Sequence, residues 1–212
     1  MAISAVVFDI GGVLERVGDP ELVIAPKWRE RLGLSAGDFT AAIRSVDPDR
    51  RNQVGAMSEA ECRERTAAAL GLSANLADEY MADMWDWYCG ELDAELHAFA
   101  RSLRPSVRTA ILSNSGDGAR REEQARYRFG DDFDPIIYSH EVGLAKPDPA
   151  VFALTCELLG AGPAELVFID DVPENIDAAA EFGLHAILHT ITPRTIEAVR
   201  ALLAEHPSTN PS

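Results

Sequence analysis

VVFDIGGVL, residues 6–14, decides how the rest of the chain is read. The apolar run Val6-Val7-Phe8 stops at Asp9, and Gly11 and Gly12 follow almost at once. A run this short, bounded by turn residues, reads as a strand buried on both faces. A lone carboxylate at such a strand end is costly unless something compensates it. Asp9 is therefore a candidate nucleophile or metal ligand. The plain alternative is a carboxylate that caps the glycine turn.

Working outward, other apolar runs end the same way. TAILSNS (109–115) runs into Ser113 and Asn114, and ELVFIDD (165–171) runs into Asp170 and Asp171. HAILH (185–189) and PIIYSHEVG (135–143) are further strand candidates. Helical patterns separate them: LHAFARSLR, PAVFALTCELLG and NIDAAAEFG. Strands alternating with helices point to an α/β fold, a Rossmann-like, doubly wound parallel sheet. Ligands of such sheets bind at the carboxyl ends of the strands. Asp9, Ser113 and the Asp170–Asp171 pair fall at three such ends and can converge on one crevice.

Residues 15–90 break the alternation and hold no good strand candidate. ELVIAPKWRERLGL, SAGDFTAAIRSV, SEAECRERTAAALGL and ANLADEYMADMWDWYCGEL read as four amphipathic helices. Ser35 and Ser58 are N-cap candidates, the latter with Glu61 completing a capping-box pattern. This stretch is expected to be a helical cap inserted after the first strand, with 1–14 and 91–205 forming the core. The tail EHPSTNPS is expected to fray.

Charge narrows the partners. The chain carries 35 acids against 19 bases, a net charge of −16. A field of that sign repels phosphate backbones, so nucleic acid is not an expected partner. A small phosphorylated substrate remains compatible, because a metal ion and local cations can dominate inside a pocket. No run reaches the roughly 18 apolar residues of a membrane span. The N-terminus reads as a first strand rather than a signal peptide. Cys62, Cys89 and Cys156 show neither metal spacing nor a disulfide framework, which suits a reducing, cytoplasmic setting. A monomer or homodimer is expected.

Asp170 and Asp171 repel each other unless a cation joins them. A hard ion such as Mg2+ takes carboxylate oxygens and keeps several waters. The structural alternative is that Asp171 caps a helix beginning near Pro173. Lys146, in GLAKPDPAVF, can turn inward to offset the acids and a phosphate, although a lone lysine is ordinarily a solvated surface charge. Asp148 can cap the helix that follows. Ser113 and Asn114 can donate to phosphate oxygens together with nearby backbone N–H groups, or simply close a turn. In the helical insert Trp28, Arg44, Arg50, Arg51, Trp85 and Trp87 could meet substrate, with packing or solvation the better reading of each. His97, His185 and His189 read as structural.

The ordered set FDIGGVL, ILSNS, GLAKPDPAVF and FIDDVPENIDAA resembles the four motifs of the haloacid dehalogenase-like hydrolase superfamily. The insert after the first motif resembles a helical-cap subfamily rich in sugar-phosphate phosphatases. The glycine-bearing first motif is similar to that of bacterial alpha-glucose-1-phosphate phosphatases. The resemblance implies a Mg2+-dependent phosphohydrolase acting through an aspartyl phosphate on Asp9. It implies that Ser113, Asn114 and Gly12 bind the phosphate and that Lys146 orients Asp9. Asp9, Asp170, Asp171 and the backbone carbonyl of Gly11 would hold the metal, and Asn175 would steady the loop.

One position departs from the pattern. Most phosphatases of the superfamily carry a second acid two residues after the nucleophile, where this chain has Gly11. Glycine keeps the carbonyl ligand but loses the general acid, a group worth roughly 100- to 10,000-fold. Leaving groups that are weak bases need it less: anomeric sugar, acyl and aryl phosphates. Glu15, His140 or water are candidate proton sources. Two other functions are compatible with Gly11: a catalytically impaired binding or regulatory protein, and a metal-free 2-haloacid dehalogenase. The retained acids and Lys146 weigh against both.

Overall fold

The computed structural model describes residues 2–206. Most of the tail expected to fray lies outside that range. In chain order the elements are β1 (Ala5–Phe8), β2 (Glu15–Arg16), α1 (Pro20–Val23), α2 (Ala25–Leu32), α3 (Ala36–Val46), α4 (Glu59–Leu70) and α5 (Ala74–Cys89). Then come β3 (Glu91–Leu92), α6 (Ala94–Ser102), β4 (Arg108–Ser113), α7 (Ala119–Tyr127), β5 (Ile136–Tyr138) and α8 (Ser139–Val142). The chain continues through α9 (Pro149–Leu159), β6 (Leu166–Asp170), α10 (Pro173–Phe182), β7 (His185–Leu188) and α11 (Thr192–Glu205).

Five strands form one parallel sheet in the order β5-β4-β1-β6-β7. The chain builds outward from β1 on one side through β4 and β5. It then crosses to the other side for β6 and β7. The reversal puts a switch point at β1, where open α/β sheets bind ligands. Alternation along β1 explains why both faces are covered. Val6 and Phe8 pack with Leu96, Phe99, Phe129 and Val199 on one face. Ala5 and Val7 pack with Val151, Phe152, Phe168 and Ala179 on the other. The sequence-predicted α/β class is what the chain adopts.

Register sets the site. Phe8 lies level with Ile111 of β4 and Ile169 of β6. The next residue on each strand is Asp9, Leu112 and Asp170. Strands sit about 4.8 Å apart, so three strand ends form one short row of neighbours.

Between β1 and β4 the chain is mostly helical. A separate cluster of Ile24, Trp28, Phe39, Leu70, Tyr80 and Met81 holds these helices together. Helix α5 joins the two parts, because Trp85 packs into the sheet-face cluster with Ile10 and Val13. Ser35 and Ser58 cap α3 and α4 by accepting from Asp38 N (3.2 Å) and Glu61 N (3.1 Å). Two details differ from the sequence reading. The stretch 21–34 is two helices: α1 ends at Val23, and α2 starts at Ala25 with Pro26 in its first turn. Residues 15–90 also contain one strand, β2, which pairs antiparallel with β3. Two residues are too few to leave a period in sequence. Among the described residues no helix is long and apolar enough to cross a membrane.

Candidate active site

Asp9 ends β1 buried, at 8% exposure. Its Oδ1 accepts from the Ile10 N–H at 2.8 Å and from Lys146 Nζ at 2.9 Å. No described donor reaches Oδ2, so one carboxylate oxygen is held and the other is available. Burial raises the Asp9 carboxyl above its ordinary value; the Lys146 ammonium pulls it down and Asp170 pushes it up.

Lys146 arrives from the loop between α8 and α9, with Asp148 capping α9 by accepting from Ala150 N at 2.9 Å. Its ammonium is buried and meets three acceptors: Asp9 Oδ1, Asp170 Oδ2 at 2.6 Å and the Leu112 carbonyl at 3.0 Å. Three donors find three acceptors, which is what an ammonium can satisfy. Lys146 is therefore a counter-charge held in place rather than a solvated side chain.

Asp170 is fully buried. Besides Lys146 it accepts from Asn175 Nδ2 at 3.1 Å on each oxygen and from Val172 N at 2.8 Å. That last N–H belongs to the residue before α10, and among the described residues no side chain caps the helix itself. That corrects the alternative reading of Asp171 as a helix cap. Asp171 is exposed and its carboxyl is pushed up by partial burial and by Asp170. One carboxylate oxygen from each of Asp9, Asp170 and Asp171 lies within 4.8 Å of the others. An all-oxygen donor set of this kind fits a hard divalent cation. Gly12 shapes the same corner. Its φ is +78°, and a Cβ there would stand 2.1 Å from Asp171 Oδ2. At Gly11 nothing lies within 4 Å of a Cβ position, so space does not exclude a side chain.

Two phosphate-binding candidates have other partners. The Asn114 side chain is clamped to the Lys146 backbone, accepting from its N–H and donating to its carbonyl, both at 2.8 Å. It positions Lys146, and one of the two Nδ2 hydrogens is used in doing so. The Gly12 N–H donates to the Glu15 carbonyl at 2.8 Å, closing the turn. Ser113 ends β4 buried, and its hydroxyl makes none of the described hydrogen bonds. The tryptophans pack: Trp28 Nε1 donates to Asp83 (2.8 Å), Trp85 Nε1 to Glu59 (2.7 Å) and Trp87 Nε1 to the Gly18 carbonyl (2.6 Å). Arg51 pairs with Glu61. His140 Nδ1 lies 2.9 Å from Ser115 Oγ, and burial lowers its pKa. His189 bonds Thr195 and lines an open cleft with Gly12 and Asp171, a closeness that the sequence pattern did not signal.

Beneath the nucleophile lie two further acids. Glu15 is fully buried, and among the described residues neither carboxylate oxygen has a partner. Burial first, then the charges of Glu123 and Asp9, push its pKa up to about 10. Glu123 is also fully buried, accepts from the Tyr138 hydroxyl and is raised to about 8, chiefly by burial. Both hold a proton at neutral pH. Glu123 lies in the polar stretch RREEQARY, where nothing in the pattern marks it as buried.

A family model for haloacid dehalogenase-like hydrolases matches residues 3–183. The chain belongs to that family. It is 29% identical over 210 residues to bifunctional epoxide hydrolase 2 of Sus scrofa, covering 89% of this chain but 36% of that protein. It is 31% identical over 96 residues to N-acylneuraminate-9-phosphatase of Rattus norvegicus, covering 45% of this chain and 39% of that one. The chain thus spans well under half the length of these relatives. Among solved structures, a HAD family enzyme from Bacteroides thetaiotaomicron in its magnesium complex superposes with a TM-score of 0.76 at 23% identity. The match covers 90% of this chain and 94% of that one. A predicted HAD-like hydrolase from Porphyromonas gingivalis gives 0.74 at 26%, covering 96% and 98%.

Two outcomes follow from this geometry. Lys146→Met leaves two buried carboxylates unpaired, and urea unfolding at neutral pH should show a loss of about 3–5 kcal/mol. A loss below about 1 kcal/mol would remove Lys146 as the counter-charge. Glu15 binds a proton when folded but, above its unfolded pKa of 4.5, not when unfolded. Its contribution therefore weakens folding by about 1.4 kcal/mol per pH unit until about pH 10. Glu15→Gln removes this slope. Its stability relative to the parent protein should rise by about 2.7 kcal/mol between pH 6 and pH 8, as read by denaturant midpoints at each pH.

Proposed function

We propose that the protein is a Mg2+-dependent phosphohydrolase that removes phosphate from a small phosphorylated metabolite through an aspartyl phosphate on Asp9. One observation carries the reading: Asp9 Oδ1 is fixed by Lys146 and Ile10, no described donor reaches Oδ2, and a carboxylate oxygen of Asp9 clusters with one each of Asp170 and Asp171. Relatives named as phosphatases, among them N-acylneuraminate-9-phosphatase and a phosphoserine phosphatase of Thermus thermophilus, support it.

Asp9, Asp170, Asp171 and the Gly11 carbonyl would hold the ion. When bound, Mg2+ would neutralise charge on the phosphoryl oxygens and on the acids. The chain's own groups do the rest. Asp9 Oδ2 attacks phosphorus, the Asp9 O–P bond forms and the bond from phosphorus to the leaving oxygen breaks. The departing oxygen takes a proton from solvent. Water then attacks the phosphorus of the aspartyl phosphate, and inorganic phosphate leaves as the Asp9 carboxylate returns. Lys146 keeps Asp9 oriented through both steps, and the Ser113 hydroxyl is free to donate to a phosphate oxygen.

The absence of an acid at Gly11 narrows the substrate. With no positioned proton donor, good leaving groups are favoured: anomeric sugar phosphates such as a sugar 1-phosphate, acyl phosphates and aryl phosphates.

Asp9→Asn should reduce phosphate release from an aryl phosphate with Mg2+ to background while retaining the fold, measured by phosphate detection and circular dichroism. Unchanged turnover would exclude Asp9 as nucleophile. Gly11→Asp places a side chain in open space. It should raise kcat on an alkyl phosphate by about 100-fold or more and change kcat on an aryl phosphate much less. Equal effects on both would mean that leaving-group protonation does not limit this enzyme.

A further inference from the structure

A cavity of about 250 Å³ lies between α3, α4, α5 and the loop that follows β4. Ile43, Met57, Met81, Met84, Trp85 and Tyr88 make its apolar wall. Some polar groups around it are engaged with the protein, while the side chains of Arg44, Asn52, Thr66 and Tyr80, which also line it, make none of the described hydrogen bonds. Asp47 accepts the backbone N–H groups of Arg51 and Asn52 at 2.9 Å, and Ser58 Oγ accepts from Glu61 N. Glu59 takes Trp85 Nε1 and Arg121, and Asp117 accepts from Glu59 N at 3.0 Å. Its wall is nevertheless mainly apolar, so the hydroxyls of a polyol that faced Ile43, Met57, Met81 or Met84 would go without partners, each costing about 1–3 kcal/mol. An apolar group gains by burial against that wall, at the cost of covering the few polar side chains it meets.

The cavity adjoins the reacting centre in two ways. Its wall includes Gly116 and Asp117, on the loop that begins at Ser113. Three residues of chain span at most about 11 Å, so Ser113, at the end of β4, and Gly116, in the cavity wall, lie within that distance. Tyr88 lines the cavity and also lies close enough to Asp9, Glu15 and Glu123 to feel their charges. An engineered cavity of about 150 Å³ holds benzene. This one can take an alkyl-substituted ring or a comparable branched chain.

We propose that this cavity receives the leaving group, and that the substrate class is phosphate monoesters of apolar, aryl-type alcohols rather than of sugars. This rests on the phosphohydrolase reading and narrows it. It agrees with Gly11, since phenols leave without a strong acid's help.

The test uses the Mg2+-loaded protein and a series of 4-alkylphenyl phosphates from methyl to butyl, in which leaving-group acidity barely changes while apolar area grows. The expected result is a rise in kcat/KM of about three- to fourfold per methylene, carried mainly by KM. In Ile43→Phe and Met84→Trp, which fill the cavity, the butyl-to-methyl ratio should collapse towards one. A flat series in the parent protein overturns the proposal while leaving the phosphohydrolase reading intact. So does a gradient that survives in a folded filled variant. If no phosphate is released from any ester, the phosphohydrolase reading fails and the cavity is tested by itself with neutral 4-butylphenol. Saturable binding, followed by NMR and lost in Ile43→Phe, supports an apolar ligand site. No binding overturns it.

Discussion

A single ammonium group holds this site together. Lys146 Nζ donates to Asp9, Asp170 and the Leu112 carbonyl, and all three acceptors sit on adjacent strands at matching register. The sheet creates the problem by placing two acids at buried strand ends. Lysine answers it with a compact point charge and three donors, where the planar fork of arginine would suit one carboxylate at a time. The choice is telling in a chain whose cations are almost all arginine. Asn114 then fixes the lysine's own backbone, so the counter-charge is positioned from both ends. With Asp171 ionised, the cluster still holds more negative charge than one ammonium can balance. A divalent cation fits that deficit.

The two glycines of the first motif have different physical reasons. Gly12 is dictated by geometry: it has a left-handed backbone, and any Cβ would collide with Asp171. Gly11 is not, because its Cβ position faces open space. Losing an acid there is thus a matter of chemistry rather than packing. Proton-bearing groups do exist nearby, in Glu15 and Glu123, but they are buried below the nucleophile. Their burial costs stability, and it keeps two neutral acids close to a charged one.

Much of the site was legible in the sequence because strand ends are legible. Asp9, Ser113 and Asp170 each follow an apolar run, and parallel strands with short offsets bring such ends together. Lys146 was readable only through the deficit that the acids create. What stayed hidden depends on contacts between distant segments. Nothing local assigns Asn114 to the Lys146 backbone or Asp170 to the N–H of Val172. Glu123 sits in a stretch as polar as any surface helix and is nevertheless buried against Tyr138. The β2–β3 pair is too short to leave a period, and the split between α1 and α2 turns on where Pro26 falls.

The most direct test of the central claim is a crystal structure with Mg2+ and beryllium fluoride, a mimic of an aspartyl phosphate. The account predicts the fluoride complex bonded to Asp9, Mg2+ on the oxygens of Asp9 and Asp171, and Lys146 still bridging Asp9 and Asp170. Metal bound elsewhere, or an unmodified Asp9 with Lys146 turned to solvent, would contradict it.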